Sequence, residues 1–76
     1  MESKFIELFK EVLEKEEQEM NLSDKFREYE EWDSLAFLST IAMLDEEYEI
    51  IIDTDEFKKI ETVGELLDEV KARLSK

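Results

Sequence analysis

Trp32-Asp33-Ser34-Leu35-Ala36-Phe37-Leu38-Ser39-Thr40-Ile41-Ala42-Met43-Leu44-Asp45-Glu46-Glu47-Tyr48 is the stretch on which the fold turns. From Ser34 onward its apolar residues fall on two stripes at helical spacing. Leu35, Leu38 and Ala42 form one, Phe37, Ile41, Leu44 and Tyr48 the other, with Met43 beside them. A helix apolar over so wide an arc is expected to be buried on several sides, so residues 34–48 read as the central rod of a bundle. Asp45, Glu46, Glu47 and Glu49 crowd its last turn with negative charge. Charge of that sign opposes the helix dipole, at about 0.3–1 kcal/mol per residue. A cost of that size is tolerable where the acids serve partner binding or solubility.

Outward from this rod the pattern stays helical. Phe5, Leu8, Phe9, Val12 and Leu13 mark one face of a first helix from about Ser3 to Gln18. Between Met20 and Asp33 the period is lost. Asn21, Ser23 and Asp24 there bring turn and cap chemistry, and Phe26, Tyr29 and Trp32 stand as isolated aromatic residues. The segment reads as a long ordered loop pinned by its rings, of the length that serves a function or holds a short helical turn. Ile50, Ile51 and Ile52 are β-branched but have no alternating partner, so they read as an extended connector. Asp53 or Thr54 caps a short third helix from Asp55 to Lys59, with Phe57 and Ile60 turned inward. Thr62 and Glu65 make a capping box, and Val63, Leu66, Leu67, Val70 and Leu74 trace the apolar stripe of a final helix. The expected fold is all-α, a four-helix bundle of three long helices and one short one with a long first loop, in a single domain over residues 1–76.

Composition narrows the function. The 76 residues contain 23 acidic and 10 basic side chains, a formal net charge of -13. Such a field repels nucleic acid and anionic membrane surfaces and favours proteins that present basic patches. No Cys and no His are present, which removes disulfides, thiolate nucleophiles and the commonest general base and metal ligand. The class expected is a non-enzymatic one, without a resident metal. No apolar run is long enough for a signal peptide or membrane span, which fits a cytoplasmic protein. A calcium loop around Asp53 fails because Lys58 and Gly64 stand where Gly and Glu are needed. The apolar stripes suffice for one small bundle, so a monomer is expected.

Ser34 carries the remaining chemistry. In one reading Ser34 or Asp33 simply caps the central helix, worth about 1 kcal/mol. In the other, the Ser34 hydroxyl faces solvent at the positive end of that helix, where backbone N–H groups and the dipole suit a phosphate ester. The whole chain bears on the choice, because it resembles the acyl carrier protein family from end to end. Leu35, Leu38, Leu44, Glu46, Glu47, Tyr48, Ile52, Lys59, Ile60, Thr62 and Val63 lie on that family's pattern without a gap downstream of Asp33-Ser34-Leu35.

The resemblance implies that a phosphopantetheinyl transferase moves 4'-phosphopantetheine from coenzyme A onto Ser34, and that acyl groups then ride as thioesters to partner enzymes. It implies that Asp33 helps the transferase hold its metal ion and that Leu35 enters that enzyme's apolar groove. Partner enzymes with basic patches would read Asp45, Glu46, Glu47 and Glu49. Trp32, Ala36 and Phe37 would give a more apolar surface beside the arm. Ala36 and Ser39 stand where many fatty-acid carriers place acids, and Trp32 precedes the motif where a small residue is common. In these respects the chain looks more like the stand-alone carriers of specialised bacterial pathways. Two alternatives remain: an unmodified acidic module that binds basic proteins, and a carrier of aminoacyl groups for cell-wall or peptide assembly.

Overall fold

The computed structural model describes residues 2–14 and 18–74. Its order is α1 (Glu2–Val12), a single 3-10 turn (Phe26–Glu28), α2 (Ser34–Tyr48), α3 (Thr54–Phe57) and α4 (Val63–Leu74). No strand occurs among the described residues, only an isolated antiparallel bridge between Lys25 and Thr62.

In α1, Phe5 and Phe9 are fully buried, and Leu13 follows them into the core. The helix ends at Val12, earlier than the expected Gln18, and residues 15–17 of that expectation lie outside the described residues. The stop has a local cause. Glu14 takes φ 57°, and its N–H bonds the Glu11 carbonyl at 3.1 Å, which turns the chain out of the helical path.

The first loop is held by backbone bonds to the start of α4. Val63 N–H donates to the Asp24 carbonyl at 3.0 Å and Gly64 N–H to the Leu22 carbonyl at 2.8 Å, so two orphan donors of α4's first turn find partners in the loop. Thr62 and Glu65 then close the expected capping box. Glu65 N–H donates to Thr62 Oγ1 at 3.1 Å, while Thr62 N–H and Glu61 N–H donate to Glu65 Oε1 at 3.2 and 2.8 Å. Val63, Leu66, Leu67 and Val70 are buried along α4, whereas Leu74, expected on the same stripe, is exposed.

The connector after α2 alternates like an extended chain: Ile50 and Ile52 are buried and Ile51 is 71% exposed. Asp53 Oδ1 accepts from Glu56 N–H at 2.8 Å and starts α3, which ends at Phe57, two residues before the expected Lys59. Four residues cannot sustain a helix by themselves. Packing and long side chains hold this one. Phe57 is buried, and Arg27 reaches from the loop to the carbonyls of Phe57 (2.5 Å) and Ile60 (3.0 Å). From the other side Arg73 of α4 binds the Glu56 carboxylate and the Ile51 carbonyl.

For α2 the boundaries match the expectation, but the buried face does not. Ala36, Thr40, Met43 and Leu44 are buried, with Phe37, Ile41 and Tyr48 partly covered. Leu35 (71%) and Leu38 (60%) are open to solvent, and Ala42 is exposed. The first apolar stripe is therefore a surface, not part of the core. Thr40 enters the core because its hydroxyl donates to the Ala36 carbonyl at 2.8 Å and leaves no polar group unsatisfied.

Candidate functional site

The motif sits on an aromatic base. Trp32 stacks on Phe57 with ring centroids 6.1 Å apart and planes 2° from parallel, and meets Phe26 edge to face at 4.9 Å. Phe37, one turn into α2, meets the same Phe57 ring at 5.1 Å. Edge-to-face and offset stacked contacts of this kind add to the area buried. Trp32 N–H also donates to the Tyr29 carbonyl at 3.1 Å, closing a turn just before Asp33.

From that base the backbone of Asp33 extends (φ -151°, ψ -172°), and its Oδ1 accepts from Ala36 N–H at 2.7 Å. Asp33 is therefore the N-cap, and Ser34 is the first residue of α2. Ser34 is exposed, and no hydrogen bond engages its hydroxyl among the described residues. The capping role that sequence left open between the two belongs to Asp33. What remains for Ser34 is an oxygen presented to water at the positive end of a helix of 15 residues. Leu35, also exposed, projects beside it.

The apolar surface next to Ser34 is not the expected one. Ala36 is buried at 7% exposure, so it offers nothing to a partner. Trp32 and Phe37 spend their rings on Phe57 and are partly buried against the core. Leu35 and Leu38 form the open apolar face instead. Leu38 was missed as a surface residue because its spacing suits either side of the helix. At the other end of α2, Asp45, Glu46, Glu47 and Glu49 are all exposed, as an acidic face requires. Glu49 closes the helix in the left-handed region (φ 56°), its N–H donating to the Asp45 carbonyl at 3.0 Å. The Tyr48 phenol is pushed above its ordinary value by burial and by the nearby charge of Glu47. No group of His, Cys, Asp and Glu among the described residues is arranged to hold a metal ion. No helix among them is long and apolar enough to cross a membrane.

A small helical domain that braces a loop on aromatic rings and leaves a serine bare at the head of its central helix has the build of a carrier domain, a support for a covalently attached group. Residues 3–70 match the family described as the phosphopantetheine attachment site. The chain belongs to that family, the acyl carrier proteins, whose members are carriers and not catalysts and whose cofactor is covalently attached 4'-phosphopantetheine. The fold is similar to the solution structure of a holo acyl carrier protein from Geobacter metallireducens. The TM-score is 0.83 at 25% identity, over 96% of this chain and 84% of that one. No curated protein matches this chain. The residues present fit a phosphoester-linked group, since a hydroxyl that no described residue engages, an exposed position and a helix N-terminus coincide at Ser34.

Proposed function

We propose that the Ser34 hydroxyl is the attachment point and that the protein holds acyl groups as thioesters for delivery to partner enzymes. The observation that carries this is the exposed Ser34, unengaged by any described residue and set at the first position of α2 by the Asp33 cap. On this reading, within a separate phosphopantetheinyl transferase, Ser34 Oγ loses its proton and attacks the pantetheine-bearing phosphorus of coenzyme A; the pyrophosphate P–O bond breaks, 3',5'-ADP leaves and the phosphoester forms. The bound group supplies the thiol that this chain, lacking Cys, does not have.

The chain's own contribution is placement. Asp33 fixes the first turn through Oδ1 and lies beside Ser34, where it would help the transferase hold its metal ion. Leu35 and Leu38 offer apolar anchors, and Asp45, Glu46, Glu47 and Glu49 draw enzymes with basic patches. Tethering raises the effective concentration at which each partner meets its substrate.

Intact mass after incubation with coenzyme A and a broad-specificity phosphopantetheinyl transferase tests the proposal. One arm is gained by the protein and none by Ser34→Ala. A folded wild-type chain that stays unmodified would remove the proposal and leave the unmodified acidic module.

A further inference from the structure

We infer that Trp32 and Phe57 are positioning residues for the modification of Ser34, and that α3, through the Phe57 ring, sets how the hydroxyl is presented. This rests on the reading of Ser34 as the attachment point.

Ser34 is exposed and no described residue engages its hydroxyl, so the place of that oxygen is set by the backbone on either side. The backbone is gripped at Asp33. Its Oδ1 accepts from Ala36 N–H at 2.7 Å and its carbonyl from Phe37 N–H at 2.9 Å. On each flank of this grip stands a ring. Trp32 precedes Asp33, Phe37 follows in the first turn of α2, and both rest on Phe57. Trp32 stacks on it at 6.1 Å with planes 2° apart, and Phe37 meets it edge to face at 5.1 Å. The serine therefore spans a bracket whose two feet share one ring.

The foot at Phe37 moves with α2, whereas the foot at Trp32 belongs to the loop. Phe57 joins them. Its ring is 1% exposed, and its short helix is held by Arg27 from the loop and by Arg73 from α4. Trp32 also meets Phe26 at 4.9 Å and Phe9 at 6.5 Å, so rings from α1, the 3-10 turn and α3 all bear on it. A flat side chain held from three elements keeps one orientation, and the peptide that leads into Asp33 and Ser34 follows it. Transfer onto Ser34 needs its oxygen in line with the phosphorus and the leaving oxygen, and a misplacement of about 1 Å costs about a hundredfold in rate. The acids that draw basic enzymes lie at the other end of α2. Loss of the bracket should therefore slow the chemical step and leave affinity for the transferase nearly unchanged.

The test is single-turnover transfer from coenzyme A with a broad-specificity phosphopantetheinyl transferase in excess, followed by intact mass. It yields a maximal rate and the transferase concentration that gives half of it. Circular dichroism first establishes that each variant is folded at the assay temperature. Trp32→Leu should lower the maximal rate about tenfold and move half-saturation by less than about twofold. Phe57→Leu, which frees Phe37 as well, should lose at least as much, and the double variant no more than Phe57→Leu alone, because both break one stack. Trp32→Phe, which keeps a ring over Phe57, should return to within about threefold of the wild type. Val70→Ala, which removes buried side chain from α4 and no ring, is the control for lost stability and should keep the wild-type rate. If Phe57→Leu does not fold, the two Trp32 variants and the control decide. A folded Trp32→Leu whose maximal rate stays within about twofold of the wild type, whose loss lies in half-saturation, or whose loss Val70→Ala reproduces overturns the positioning role and leaves the attachment reading standing. A wild-type chain that gains no mass overturns both.

Discussion

Removing the Arg27 guanidinium should loosen α3 and take a large share of the domain's stability with it. The side chain donates from Nε to the Ile60 carbonyl at 3.0 Å and from Nη2 to the Phe57 carbonyl at 2.5 Å. Its carbon lies 5.5 Å from the centre of the Phe26 ring and 5.4 Å from that of Phe57. The Phe57 carbonyl is the last of a four-residue helix, where a positive charge is favoured by the dipole, and the Ile60 carbonyl lies in the turn three residues beyond it. Hydrogen bonds to a charged group contribute about 1.5–3 kcal/mol each, and a ring contact about 0.5–1 kcal/mol. These bonds are only partly buried, so water recovers some of the loss when the group is removed. Arg27→Met, which keeps much of the stem's packing, should then cost about 2–3 kcal/mol, against a total of about 4–11 kcal/mol for a domain of this size. The melting temperature should fall by about 10–20 °C. Urea and thermal unfolding followed by circular dichroism measure the loss. Amide exchange should show the Phe57 and Lys58 N–H groups, bonded to Asp53 and Thr54, opening well before those of α4. Lys25→Met, on an exposed neighbour, is the control. A loss below about 0.5 kcal/mol, or one equal to the control's, would refute the clamp.

Three further perturbations read other parts of the structure. Glu49 holds φ 56°, a region that costs a residue with a Cβ about 1–2 kcal/mol, against about 0.5–1 kcal/mol for glycine's greater freedom when unfolded. Glu49→Gly should therefore unfold at higher urea than Glu49→Gln, which removes the charge and keeps the strain; equal midpoints would show that charge alone matters. Gly64→Ala should destabilise by about 1 kcal/mol, because its Cβ would lie 3.0 Å from the Leu22 carbonyl oxygen and push apart bonds that tie the loop to α4; a rise in midpoint would mean that helix propensity wins instead. Tyr29 donates to Asp24 Oδ2 at 2.8 Å, and burial followed by that bond raises its phenol well above the ordinary value. Its contribution is thus complete below about pH 10, the unfolded value, and is lost as the pH climbs from there toward the folded one. Melting curves from pH 8 to 11 should fall more steeply for the wild type than for Tyr29→Phe, and parallel curves would contradict the assignment.

Where local chemistry decides structure, the sequence was legible. The Thr62–Glu65 box and the start of α2 at Ser34 depend on residues three apart along the chain and form as read, and the cap of α3 falls to Asp53, one of the two candidates read. Burial depends on what arrives from a distance, and there the reading failed in part. Two stripes of α2 were equally apolar, and only the packing partners determine that the Ala36–Thr40–Leu44 side is covered while Leu35 and Leu38 are left open. Ala36 fell from the expected partner surface for the same reason. Arg27 and Arg73 carry no local signal for their roles, because the carbonyls they bind lie 22 to 33 residues away. At the site, Ser34 and Asp33 were legible as a pair, but which of them caps the helix needed coordinates.

The exposed leucines make sense only together with the charge. In a neutral protein, Leu35 at 71% and Leu38 at 60% exposure, side by side on a helix, would invite copies to pair through them. At a formal charge of -13 each approach of one copy to another meets repulsion, which salt weakens. A basic partner meets attraction from the same field and finds the same leucines uncovered. On the proposed reading, the acids that strain the end of α2 thereby act at its beginning, since they bias the apolar face beside Ser34 against self-association while leaving it open to enzymes of opposite charge.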